Sequence, residues 1–168
     1  LLGEHNEDIL GKLRSRNAKS QTANRKNGSR GAVPVRRPLE GIRVLDLSQG
    51  VVGPVGGGLM TDLGAQVIRI EQPERAAGQR RIQSLNRPFG NTARGRGLTG
   101  FNVHHHDKLH LSLDLRQPEG IEAFKSLLKI SDVVFDNFRP RVMPNFGLEC
   151  PVLQEINPRI IHIAMPAF

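Results

Sequence analysis

The chain of 168 residues has no tryptophan, no tyrosine and one cysteine, Cys150. A single cysteine excludes an intrachain disulfide and a metal site built from several cysteines, and it favours a reducing, cytoplasmic setting. No hydrophobic run approaches the roughly 18 residues that a transmembrane helix needs, and the first residues lack the apolar core of a signal peptide. We therefore expect no membrane association. The length of the chain is sufficient for one domain with a hydrophobic core.

The positive charge is confined to one segment. The net charge of +8 would suggest nucleic acid binding if it covered a folded surface. Residues 14–37 alone hold eight basic residues and no acid, and the rest of the chain has 16 of each sign. The segment is polar, and no aromatic residue interleaves its charges. We therefore predict a flexible linker and no nucleic acid partner.

A strand–turn–helix–strand pattern between Ile42 and Pro73 organises the remaining sequence. The apolar run at 42–47 predicts a strand buried on both faces of a parallel sheet, and the run at 66–71 predicts a second one. Because parallel neighbours need a crossover between them, the intervening residues should contain a helix.

Five glycines between Gly50 and Gly58 follow the first predicted strand. They predict a tight turn whose backbone comes close to a ligand. A helix should follow, since Leu59, Met60 and Leu63 have helical spacing, and a glycine directly after them suits its end.

Glu71 lies about 20 residues beyond the glycines, where a dinucleotide-binding fold carries its ribose-binding acid. A Rossmann-type nucleotide site is therefore one hypothesis. However, the glycines do not form G-x-G-x-x-G, and Pro54 removes a backbone donor where a pyrophosphate would need one. A glycine-rich segment that only allows close helix packing is an equal alternative at this point.

Later segments repeat the same alternation of elements. Leucines at every second position between Leu109 and Leu115 predict a half-buried strand, and Pro118 suits the first turn of a helix with one apolar face. Apolar runs predict further strands at 132–136 and 159–164. Strands alternating with helical patterns predict an open α/β fold with a parallel sheet.

Two clusters suggest ligands but favour simpler interpretations. The three consecutive histidines 104–106 point in different directions in any regular structure, so we expect no metal there. The loop 72–100 carries six arginines that could meet phosphates, although solvated charge is the preferred interpretation for most of them. They are Arg75, Arg80, Arg81, Arg87, Arg94 and Arg96.

The sequence motifs of three segments resemble those of CoA-transferase family III, also called the CaiB/BaiF family. PLEGIRVLDL, the following Gly-Pro and DLGAQVIRIE, from Pro38 to Glu71, are similar to the opening of that family. LDLRQPEG, from Leu113, and SDVVFDNFRP, from Ser131, are similar to its later phrases. The resemblance runs from Pro38 to Phe168, with the loop diverging and only Lys108 retained from an Asn-Lys-Arg-Ser phrase.

The resemblance implies a Rossmann-like open parallel sheet and a defined chemistry. CoA would pass from an acyl-CoA thioester to a carboxylic acid through an aspartyl covalent intermediate, without a metal. The attacking aspartate is expected after Phe168, so we expect the chain alone to be inactive. Alternatives within the fold are an acyl-CoA racemase, a carnitine-dehydratase-like enzyme or a non-catalytic CoA-binding copy. An NAD-dependent oxidoreductase is the outsider.

CoA contacts carry over from the family to three groups of positions. They are Val51 and Val52; Leu113, Asp114, Leu115 and Arg116; and Asn137, Phe138 and Arg139. Asn137 has an equal alternative as a turn residue. Three departures from the family bear on CoA affinity: Gln72 and Asn145 stand where arginine is common, and Pro166 stands where a turn with glycine or lysine is usual.

The first residues, LLGEHNEDILGKL, look helical and are similar to the last helix of family III proteins. Here a motif typical of the C-terminus of the family precedes the motif typical of its N-terminus, which suggests the junction of two tandem copies of the family domain. We therefore expect a helix remnant at 1–13, the linker at 14–37 and the N-terminal part of a CoA-transferase domain at 38–168. The expected partners are acyl-CoA, a carboxylic acid, and either an interlocked second chain or a second copy in the same chain.

Overall fold

The computed structural model describes residues 36–73 and 104–166. The chain divides into two units after Arg36, and all described residues but Arg36 belong to the second unit, Arg37–Phe168. Three predicted segments lie wholly or mostly outside the described residues: the helix at 1–13, the linker at 14–37 and the loop at 72–100.

The described part of the chain forms a five-stranded sheet in the order β3-β2-β1-β4-β5. All four pairs of neighbouring strands are parallel. The strands are β1 (Arg43–Asp46), β2 (Gln66–Glu71), β3 (Leu109–Ser112), β4 (Val133–Asp136) and β5 (Ile161–Ala164). The helices are α1 (Val52–Asp62), α2 (Pro118–Leu128), α3 (Val142–Asn145) and α4 (Cys150–Ile156). The predicted open α/β fold is confirmed.

The predicted strands are present, and each lies within its predicted segment. The largest difference is at β3, which ends at Ser112 although the leucine alternation continues to Leu115. One more sheet bond follows, from the N–H of Leu113 to the carbonyl of Glu71 (2.9 Å). The chain then turns because α2 begins at Pro118, as predicted, and the N–H of Gln117 bonds the carbonyl of Asp114.

The predicted glycine turn is wrong beyond Val51, because four of the five glycines, Gly53, Gly56, Gly57 and Gly58, lie in α1. Their role is packing: a Cβ on Gly57 would lie 2.6 Å from Nζ of Lys108 and 2.7 Å from Oδ2 of Asp46. Pro54 is tolerated because it occupies the first turn, where a helical N–H has no partner in the helix. The predicted end of the helix is confirmed, since Gly64 adopts a φ of 100°.

The sheet has two different faces. Side chains alternate across a strand, and the register aligns Asp46, Arg69 and His110 on one face. The α1 helix contacts β2 and β4. It shares this face with the apolar cluster of Val44, Ala65, Val67, Val133 and Phe135. Right-handed crossovers place α2 and α4, which contact each other, on the opposite face. We call the two sides the α1 face and the α2 face.

Candidate functional site

A mainly apolar pocket, partly open to solvent, lies at the carboxyl ends of the strands. This is the edge at which open α/β sheets bind ligands. Its walls come from the ends of four neighbouring strands and from α3. They are Leu47, Gln49, Ile70, Gln72, Leu113, Leu115, Phe138, Val142 and Phe146.

The pocket brings together three of the residues predicted to contact CoA: Leu113, Leu115 and Phe138. Gln49 and Phe146 were not predicted as site residues. Gln49 could have been found from its position directly after a strand, since the carboxyl ends of parallel strands meet at one edge. Phe146 carries no such signal, because the path of α3 over this edge depends on tertiary packing.

Asp114 and Arg116 form a charged pair beside the pocket. Oδ1 of Asp114 accepts hydrogen bonds from the backbone N–H (3.0 Å) and Nε (2.9 Å) of Arg116, and Oδ2 accepts from Nη2 (2.9 Å). The bonds from the Arg116 side chain and backbone lower the pKa of Asp114 from 3.8 to about 2. The pair thus holds a guanidinium in one orientation at the exposed end of this segment.

Asn137 uses its side chain within the protein. Its Oδ1 accepts the N–H of Gln49 (2.7 Å) and its Nδ2 donates to the carbonyl of Gln49 (2.8 Å). The next residue, Phe138, donates its N–H to Asp136 (2.9 Å) and lines the pocket. Arg139 is exposed. The turn after β4 is therefore fixed to the loop after β1.

Val51 and Val52 lie apart from the pocket walls. Both are exposed at the start of α1, with 48% and 71% of their surface accessible. They are joined to the pocket through Gln49, which lies in the same loop.

A buried group of charges lies next to this loop on the α1 face. Nζ of Lys108 is 2.9 Å from Oδ2 of Asp46, and neither side chain is exposed. Arg69 contacts Asp46 at 3.9 Å and Glu71 at 3.3 Å. Burial lowers the pKa of Lys108, and the Asp46 carboxylate opposes that shift. Because each charge has an opposite partner, the group tolerates its removal from water.

The predicted role of Glu71 as a ribose-binding acid is wrong. Its side chain is buried, and Oε1 accepts from Nε of Arg69 (3.3 Å) and contacts Nδ1 of His110 (3.0 Å). It belongs to the charge group on the α1 face and does not reach toward a nucleotide at the sheet edge.

The histidine triplet diverges. His105 is buried, and burial, followed by the charges of Arg69 and Lys108, lowers its pKa to about 3. His106 instead contacts Asp62 at the exposed end of α1 (2.9 Å). Within residues 36–73 and 104–166, no group of three or more histidine, cysteine or acidic side chains is placed to hold a metal ion. None of the helices in those stretches is long and apolar enough to cross a membrane.

Comparison with known proteins identifies relatives along most of the chain. Residues 39–168 match the family model of CoA-transferase family III. Succinate–glutarate CoA-transferase of Agrobacterium fabrum is 33% identical over 139 residues, which are 81% of this chain and 34% of that protein. Probable CoA-transferase Rv1866 of Mycobacterium tuberculosis is 37% identical over 134 residues, which cover 78% of this chain and 15% of that protein.

Solved structures show the same relationship. A hypothetical protein (Rv3272) from Mycobacterium tuberculosis has a TM-score of 0.66 and 32% identity, over 79% of this chain and 34% of that one. A CaiB/BaiF family protein from Brucella suis has a TM-score of 0.64 and 32% identity, over 77% and 33%. The chain therefore spans about a third of the length of the Agrobacterium relative and of these two structures.

Proposed function

The chain belongs to CoA-transferase family III, and we propose that it forms the CoA-binding part of an enzyme that transfers CoA from an acyl-CoA thioester to a carboxylic acid. Relatives are named as CoA-transferases for succinate and glutarate, for succinyl-CoA and malate, and for bile acids. The observation that carries the proposal is the pocket at the carboxyl edge, where Leu113, Leu115 and Phe138 meet.

The pocket and its surroundings suit the two chemical parts of CoA. Its apolar walls offer a surface for the adenine ring or the pantetheine chain. Arg116 and Arg139, from segments that each supply a pocket wall, offer cations for the phosphates. Asp114 orients the guanidinium of Arg116 through two side-chain contacts of 2.9 Å. We propose these residues, with Val51, Val52 and Asn137, as the CoA-binding set.

The chemical step requires a carboxylate outside these 168 residues. In the proposed reaction an aspartate attacks the thioester carbonyl, the C–S bond breaks, and CoA leaves as a thiolate while a mixed anhydride forms on the aspartate. The thiolate then attacks the aspartyl carbonyl of the anhydride, which releases the first acid and forms an aspartyl thioester with CoA. The acceptor carboxylate attacks this thioester and expels the thiolate to give a second anhydride, and the thiolate finally attacks the acceptor's carbonyl, which forms the new acyl-CoA and releases the aspartate.

Five aspartates of the described residues bond other groups of the chain, in keeping with a nucleophile that lies outside it. Asp46 accepts from Lys108, Asp114 from Arg116, and Asp136 lies 2.7 Å from Nε2 of His162. Asp62 and Asp132 are likewise bonded, to His106 and to the N–H of Arg43.

We keep the organisation into a helix remnant at 1–13, a linker at 14–37 and a domain at 38–168 as a proposal, and two comparisons bear on how such a domain is paired. Matches of similar length cover 15% of Rv1866 and 34% of the Agrobacterium relative, so Rv1866 is more than twice as long. The malate enzyme of Chloroflexus aurantiacus has alpha and beta subunits that both match this chain. We propose that this domain pairs with a second family III domain, in the same chain or in another, in the cytoplasm.

Calorimetric titration with CoA tests the proposal. We expect saturable binding that weakens at least tenfold in Phe138→Ala, whereas Leu59→Ala, on the exposed side of α1, should leave it unchanged. Dephospho-CoA, which lacks the 3′-phosphate, should bind less tightly. Incubation with an acyl-CoA and an acid should give no exchanged thioester, whereas a chain extended through the downstream aspartate should give it. Equal binding of NAD, or no binding of CoA, would contradict the proposal.

A further inference from the structure

The loop between β1 and α1 is held by side chains from several parts of the sheet. Residues 48–54, here called the 48–54 segment, comprise most of this loop and the first three residues of α1, and they contain Val51 and Val52. Five of the segment's backbone groups bond side chains. The contacts are Ser48 N–H to Asp46 (2.9 Å), Ser48 carbonyl to Arg69 (2.8 Å), Gln49 N–H and carbonyl to Asn137 (2.7 and 2.8 Å), and Pro54 carbonyl to Lys108 (2.8 Å).

Lys108 connects the start of β3 to both ends of this segment's surroundings, 54 residues from Pro54 and 62 residues from Asp46 along the chain. It precedes β3, yet its ammonium group lies between the end of β1 and the first turn of α1, bonded to Asp46 and to the carbonyl of Pro54. A Cβ on Gly57 would lie 2.6 Å from this nitrogen, so glycine leaves the space that the ammonium group occupies. The side chain is completely buried and does not reach the pocket.

A buried ion pair by itself adds little to the free energy of unfolding. Removing two charges from water costs several kcal/mol, and apolar side chains of similar volume often stabilise a protein equally well. Here Asp46, Arg69 and Lys108 each also bond the backbone of the 48–54 segment. What the charges provide beyond burial is therefore a defined position for that backbone.

We propose that Lys108, paired with Asp46, is a positioning residue that holds the 48–54 segment in its ligand-binding conformation. The affinity for CoA then depends on a side chain that CoA does not touch, because a segment ordered in advance loses less entropy on binding. The inference rests on the proposed function, since it takes an acyl-CoA or CoA as the ligand of this edge.

Affinity measured in charge-neutral variants tests the inference. Asp46→Asn with Lys108→Met removes both charges together and leaves no unpaired ion, so it should fold even where Lys108→Met alone does not. We expect CoA to bind the double variant at least tenfold more weakly than the unsubstituted chain. Lys129→Met, the same change at the exposed end of α2, should stay within twofold. Unchanged affinity in a folded double variant would overturn the inference, and so would failure of that variant to fold.

Amide hydrogen exchange separates positioning from general stability. In the double variant, the N–H groups of Val55 and Gly56 in the first turn of α1 should exchange at least tenfold faster, while that of Val134 in β4 is unchanged. Equal acceleration everywhere, or none in α1, would contradict a local role. If the unsubstituted chain itself binds no CoA, the proposed function fails instead, and this exchange pattern still decides whether Lys108 positions the segment.

Discussion

The two faces of the sheet bury different kinds of side chain toward the carboxyl ends of β1 and β2. On the α1 face, β1 and β2 end in Asp46, Arg69 and Glu71, all buried and paired. On the α2 face, the same strands present apolar side chains, among them Leu45 and Ile68, which are at most 1% exposed. At the carboxyl ends of β1 and β2, the sheet thus buries charge on one side and hydrocarbon on the other.

The difference shows that the two kinds of side chain have different roles, since one stabilises the fold and the other fixes the position of the 48–54 segment. Apolar burial stabilises a fold without direction, in proportion to the area removed from water. Hydrogen bonds from charged groups have direction, and on the α1 face they end on the backbone of the 48–54 segment. The α2 face supplies the pocket walls Leu47 and Ile70, and the α1 face fixes the loop beside them.

Removing one charge from the α1 face should have the largest effect on stability. Lys108→Met leaves the buried Asp46 carboxylate with Arg69, 3.9 Å away, as its nearest cation, so we expect the free energy of unfolding to fall by about 3–5 kcal/mol. Urea denaturation measures it, with Lys129→Met as the exposed control, which should change it by less than about 0.5 kcal/mol. A loss below about 1 kcal/mol in Lys108→Met would show that the pair is not buried as described.

Removing hydrocarbon from the α2 side should cost slightly less. Leu128→Ala truncates a side chain with no exposed surface at the end of α2, and such changes cost about 2–5 kcal/mol, for which we expect about 3. The matched change Leu59→Ala, on the exposed side of α1, should cost less than about 1 kcal/mol. Equal costs for the two leucines in urea denaturation would refute the assigned packing.

Two neighbouring glycines in α1 should respond with opposite sign. Gly57→Ala brings a methyl group against Lys108 and Asp46 and should lower the free energy of unfolding by about 1–3 kcal/mol. Gly58→Ala meets His106, a partly exposed side chain that can move, at 3.3 Å. There the better helix propensity of alanine, about 1 kcal/mol, should dominate. Stabilisation by Gly57→Ala would show that the space beside Lys108 is not needed.

These positions also mark where sequence reasoning stopped. The strands were predictable because apolar runs fit a sheet buried on both faces, and Gly64 and Pro118 mark helix boundaries by local rules. The glycines of α1 were misplaced because their contacts involve Lys108, about 50 residues away, and no local pattern encodes that distance. The pocket residues Leu113, Leu115 and Phe138 were predicted through the family resemblance, whereas Phe146 depended on the path of α3.

Acid should weaken the α1 face through His105. Its pKa falls from 6.5 to about 3 in the folded protein, so the unfolded chain takes up a proton first as the pH decreases. Stability should therefore be unaffected above pH 6.5 and decline between 6.5 and 3, by at most about 1.4 kcal/mol per pH unit from this residue. Denaturation across that range should show a shallower decline in His105→Gln than in His104→Gln. Identical slopes would contradict the assignment.

The smallest effect on stability should come from the partly exposed pair of Asp114 and Arg116 beside the pocket. Arg116 lowers the pKa of Asp114 to about 2 from 3.8. The stabilising contribution of the pair is thus complete above pH 3.8 and lost as the pH falls through 2. NMR titration of the side-chain carboxyl carbon of Asp114 should give a midpoint near pH 2, and Arg116→Gln should move that midpoint back toward pH 3.8. An unshifted midpoint in the unsubstituted chain would show that the pair does not form.

Mapping CoA on the folded chain by NMR tests the central claim most directly. Addition of CoA should shift the amide signals of residues 49–52, 113–116 and 138–139 in a saturable way, because these segments meet at the carboxyl edge of the sheet. Gly41, Ser131 and Asn157, which precede strands at the opposite edge, should keep their positions. Saturable shifts at those three residues with none at the carboxyl edge, or no saturable shift at all, would contradict the account.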